Sequence, residues 1–178
     1  MASTDEKPVS GPIAMLGTVV DGLLRAGAVA AEIMLALLVV MVTVEILMRN
    51  LFAISFGIVD ELMGYFLVAI VFLGLGQSIR EGALLRVDVF LNLLGPKVVR
   101  TVDRLYAAVG VVVLGIYLRQ LWTLVANSYL RGTASGSAIA IPLWIPQSPM
   151  VVGALLGILG FVVLMVAPTR AREEDMHL

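Results

Sequence analysis

The chain has no cysteine and a single histidine, His177. Without cysteine there is no disulfide framework, no thiolate metal site and no thiol redox chemistry. One histidine, next to the last residue, leaves no set of imidazoles for a haem or zinc centre. Charge is scarce too. Only 14% of residues are charged and 60% are hydrophobic, against roughly 25% and 45–50% in soluble domains. A chain of 178 residues lacks the interior volume to hide that excess from water, so lipid is the solvent it requires. A net charge of −1 provides no basic field for nucleic acid. No P-loop, dinucleotide fingerprint or nucleophile–base pair occurs, and neither a catalytic centre nor a cofactor is expected. The opening MASTDEKPVSGP lacks the basic start, apolar core and cleavage site of a secretory signal. The first span is therefore expected to act as an uncleaved insertion signal.

What is present is a set of long apolar runs. A membrane helix needs about 20 mainly apolar residues, and four segments qualify: about 27–48, 62–79, 105–126 and 147–167. The expected fold is an all-α integral membrane protein of four transmembrane helices with short interfacial amphipathic segments. Its membrane domain covers residues 27–167, between a 1–26 tail with an interfacial segment and a 168–178 tail. The stretch GTASGSAIAIPLWIPQSP before the last span is too rich in Gly, Ser and Pro for a helix interior. Nine Lys and Arg lie in the N-terminal tail, the 80–104 connection and the C-terminal tail. Only Arg49 and Arg131 lie on the opposite side, with Arg119 inside a span. Positive residues mark the cytoplasmic side, so both termini are expected there.

Ile13, Leu16, Val20, Leu23, Leu24 and Gly27 recur at helical spacing, as do Val87, Phe90, Leu91 and Leu94. Such stripes suit helices lying in the headgroup plane, or equally extensions of the neighbouring spans. Pro96 suits the first turn of a helix. The third span can then begin in the cytoplasm, with Val98, Val99 and Val102 facing inward.

Ionisable groups inside spans are costly and are usually functional. Asp60 and Glu61 open the second span, while Arg49 and Arg80 close the first and second. Each sits where the helix dipole favours its sign, so capping accounts for all four. Glu45 and Arg119 are harder to explain. Glu45 lies four residues before Arg49 and shares a face with it. Arg119, in the outer half of the third span, is expected at a similar depth, which predicts an interhelical Glu45–Arg119 pair. Glu32 lies near the inner end, where snorkelling or a partner contact would satisfy it. Gly153, Gly157 and Gly160 form one face of the last span and allow a close helix approach. Trp144, between Pro142 and Pro146, suits an anchor at the outer surface.

The order of these elements resembles the small, DctQ-type membrane subunit of tripartite ATP-independent periplasmic (TRAP) transporters, over about residues 30–165. The first span ends VEILMRNLF, with Arg49 at the family's arginine. Asp60-Glu61 matches the acid that opens the second span, and Val71 to Gly74 reads VFLG. The second span leads into REGALLRVD, where Arg80, Glu81, Gly82, Arg86, Val87 and Asp88 match a REGGHIRVD-like pattern. Ala83 and Leu84 depart from it, and the frequent histidine is missing, so that histidine is no strict requirement for the role. IPLW stands at Ile141 to Trp144.

The resemblance implies a scaffold in the bacterial or archaeal cytoplasmic membrane. Its partners would be a large permease subunit of the M type, a periplasmic binding protein and the lipid bilayer. The transport implied is sodium-driven import of an organic acid. Residues implied as structural or partner contacts are Glu45, Arg49, Asp60, Glu61, Arg80, Arg86, Asp88, Arg119, Trp144, Gly153 and Gly157; none is expected to be catalytic, cofactor-binding or metal-ligating. The nearest alternative is the small four-span subunit of a tripartite tricarboxylate transporter. From another class, a four-helix glutathione-dependent membrane enzyme would use arginines near the cytosol, although here positive-inside topology already accounts for those. A self-contained carrier is disfavoured by only four spans without an internal repeat, and a dimeric carrier or homo-oligomeric small exporter by Glu32 and Glu45 lying off-centre.

Overall fold

A computed structural model describes residues 12–54, 57–81, 96–136 and 140–166. Four helices follow one another: α1 (Pro12–Phe52), α2 (Ile58–Glu81), α3 (Pro96–Leu130) and α4 (Trp144–Val166). All four are long and apolar enough to cross a membrane. The described residues thus form an all-α, four-span molecule. Arg86, Asp88 and the Val87–Leu94 stripe fall outside the described residues, as do residues 1–11 and 167–178.

Two helices exceed a bilayer's needs. α1 has 41 residues and α3 has 35, or roughly 60 and 50 Å at 1.5 Å per residue, against a hydrocarbon core of about 30 Å. Residues Pro12 to Gly27 are part of the first span's own helix. No glycine pair or proline interrupts it, and Leu24, Gly27 and Ala31 form one buried stripe along α2. Leu24 and Gly27, at the end of this segment, pack on α2, and Asp21 pairs with Arg80 there. α3 starts at Pro96, where the missing N–H costs nothing in a first turn. Val98 and Val102 do not face inward as expected: they are 47% and 39% exposed, and the side chain of Val99 lies outside what is described.

The helices pack in the order α1–α2–α4–α3, with α4 inserted between α2 and α3. α1 runs antiparallel to α2, so Leu24 meets Gly76 and Gly27 meets Leu73. α4 runs parallel to α2, with Gly153 against Phe72 and Gly160 against Gly76. α3 runs antiparallel to α4, setting Gly110 on Phe161 and Leu114 on Gly157. One apolar cluster unites Ile79, Ala107, Phe161 and Leu164; a second unites Leu121, Val151 and Ala154. α4 is the most buried span, while α1 and α3 form the edges and keep most of their apolar side chains exposed. In lipid such exposure carries no penalty, since the solvent is itself apolar.

Candidate functional site

The close helix approach rests on missing side chains. A Cβ at Gly160 would lie 2.8 Å from the Gly76 carbonyl oxygen, and one at Gly76 would lie 2.8 Å from that of Leu156. A Cβ at Gly157 would meet Leu114 at 2.8 Å and Leu75 at 3.1 Å. At Gly153 it would run into the Phe72 backbone. The glycine face of α4 is thus spent inside the chain, as the seam with α2 and α3. Dispersion and backbone proximity drive such contacts in a membrane.

The end of the bundle at which α2 closes is held by an ion pair. Arg80 closes α2 and donates from Nε to Asp21 Oδ1 at 2.9 Å, and from Nη2 to Oδ2 at 3.4 Å. The side chains are 25% and 42% exposed. Sequence reasoning places Arg80 at a helix end but gives Asp21 no role. The usable signal was that oppositely charged residues end antiparallel spans at one depth. Gln77 beside it donates to Glu81 at 2.7 Å.

At the opposite end, Asp60 and Glu61 occupy the first turn of α2 and Arg49 the last turn of α1. All three complement the helix dipoles. Tyr65 donates its hydroxyl to the Glu61 carboxylate. Between α3 and α4 the described residues 131–136 and 140–143 form turns and one isolated backbone bridge, Ala134 to Pro142. Gly132 adopts φ +59°, a left-handed conformation suited to glycine after a helix. Ser135 N–H then donates to Ile141 O at 2.9 Å and Leu143 N–H to Thr133 O at 3.0 Å. Trp144 opens α4 and packs edge-on against Tyr129, with ring centroids 5.8 Å apart. Below it the Gln147 Oε1 is buried, and no described group hydrogen-bonds to it.

Glu45 and Arg119 are not brought together. Glu45 is buried, at 6% exposure, on α1, whereas Arg119 is exposed on α3. α1 packs chiefly on α2, and α3 on α4. Depth separates them as well. Leu114 and Leu121 flank Arg119 and meet Gly157 and Ala154, so Arg119 lies level with the middle of α4. Leu156, in that middle zone, meets Gly27 of α1, and Glu45 stands 18 residues further along, roughly 27 Å at the helical rise. The apolar run of α1 does not fix depth, because the helix starts far earlier, at Pro12.

No set of three or more His, Cys, Asp or Glu side chains converges among the described residues. The geometry holds helices together and presents two long edges; its described charged groups mark the ends of spans, apart from Arg119 and Glu32, and Glu32, expected near a span end, lies instead one residue from Ala31, which packs on Gly74 well inside α2. No curated protein and no solved structure matches the chain. The family model for "Tripartite ATP-independent periplasmic transporters, DctQ component" matches residues 38–171, from the C-terminal half of α1 through α4. The chain belongs to this family and is a small membrane component of a tripartite transporter.

Proposed function

We propose that the chain is the transmembrane scaffold of its transporter, packing against a large permease subunit and widening that subunit's static part in the bilayer. The transport served is secondary-active, sodium-driven import of an organic acid that a periplasmic binding protein delivers. Family membership carries this reading. The architecture agrees with it: one central helix is well packed, and the two edge helices leave broad apolar flanks exposed. A chain that moved substrate alone would need a polar path through its own core. Here the spans are joined by a glycine seam and apolar clusters.

The test is reconstitution. Liposomes holding the large permease and this chain, with the binding protein outside, should take up an organic acid only under an inward sodium gradient. Omitting this chain should abolish most uptake. Undiminished uptake by the large subunit alone would contradict the scaffold role, and glutathione turnover by the purified chain would favour the enzyme alternative.

A further inference from the structure

Arg119 is an exposed guanidinium at the middle of a membrane span. It lies level with Ala154–Gly157 of α4, which leaves roughly 15 Å of helix on either side at 1.5 Å per residue. Half of a typical hydrocarbon core is about that thick, and snorkelling serves side chains near helix ends. No described residue offers it an ion pair; its backbone carbonyl accepts from Thr123 Oγ1 at 3.0 Å. Arg119 stands on a ridge with Val112, Ile116 and Thr123, at spacings of four, three and four. All four are exposed, on the side of α3 away from α4.

We propose that this α3 ridge is where the large permease subunit docks, and that the docking helix carries a carboxylate at mid-membrane depth that pairs with Arg119. This rests on the reading of the chain as a subunit of a larger membrane complex. A carboxylate is the group required, because it neutralises the charge and accepts two parallel N–H bonds from the guanidinium. In lipid the same arginine stays uncompensated. A second copy of this chain is the competing occupant, since exposed Glu32 lies one residue from Ala31 on the other edge helix, α1, near the same depth. An α1-to-α3 contact between copies is heterologous, however, and closes only if the rotation permits a ring. A distinct partner needs no such closure.

The experiment uses the co-expressed complex and a photo-crosslinking residue placed at Ile116, Thr123 or, as a control on the opposite edge, Val40. Adducts with the large subunit from Ile116 and Thr123, but not from Val40, are expected. Arg119→Glu should lower recovery of the complex at least about tenfold, given the cost of unpaired charge in a span, and Arg119→Lys should retain most of it. Arg119→Leu should weaken the complex while leaving the isolated chain as stable as before or more so, a combination that a role confined to this chain would not produce. Adducts from Val40 alone, adducts with a second copy, or full recovery of Arg119→Glu complex would each overturn the proposal and leave the scaffold reading standing. Failure of the wild-type chain to co-purify with the large subunit would overturn both.

Discussion

At the scale of single residues, the molecule depends more on what is absent from side chains than on charge. Gly153 illustrates the point, since even one methyl there meets the Phe72 backbone. Backbone yields less readily than the end of a side chain, so Gly153→Ala should cost about 1–3 kcal/mol, as overpacking typically does. Gly115, with open space around it, should accept alanine within about 0.5 kcal/mol. Unfolding titrations in mixed micelles would compare the two, and equal costs would contradict the seam. The Asp21–Arg80 pair sits at the other extreme. Both groups are partly solvated, and such pairs contribute about 0–1 kcal/mol. A double-mutant cycle with Asp21→Asn and Arg80→Gln should give a coupling in that range, shrinking with added salt. The glycine face was legible in the sequence because helical periodicity suffices to define it. The ion pair was less so, because 59 residues separate its members and only the shared depth of opposite charges on antiparallel helices points to it.

Elements are legible in lipid to the extent that they are uniformly apolar. α2 and α4 satisfy that and carry recognisable ends: acids in the first turn of α2, Trp144 opening α4. α1 is less legible, because its first turns are amphipathic and the same pattern fits a helix in the headgroup plane or an extension of the span. Tertiary packing decides, through the Leu24–Gly27–Ala31 stripe on α2. The absence of native cysteine makes this measurable with spin labels at Val19→Cys and Ile33→Cys, both exposed positions. A straight helix places these backbones roughly 21 Å apart along the axis. A right-angle bend near Ala26 would bring them to about 15 Å by the same rise. A pulsed-EPR distance distribution centred near the longer value is expected, and the shorter one would show an interfacial segment instead.

For the whole molecule, the number of spans was legible and the order of packing was not. Soluble helices betray their neighbours by one apolar stripe, but a membrane helix is apolar toward lipid and protein alike. The α1–α2–α4–α3 order therefore had no amphipathic signal, and Arg119, assigned to a partner within the chain, stands on an edge instead. Orientation rests on a different quantity, the nine-to-two bias of Lys and Arg, which acts during insertion. It predicts that the link between α3 and α4 and the start of α2 face the outside, and that the end of α2 faces the cytoplasm. Single cysteines at Gly136→Cys, Asp60→Cys and Glu81→Cys, all at exposed positions, test this directly. A membrane-impermeant maleimide applied to cells with a permeable outer envelope should label the first two and spare the third until the membrane is opened. The inverse pattern would reverse the topology, yet Arg119 would keep its depth, since the two ends of α4 lie about equally far from it. The docking carboxylate is thus fixed at mid-membrane by packing alone, and the charge bias decides only which end of the partner helix points to the cytoplasm.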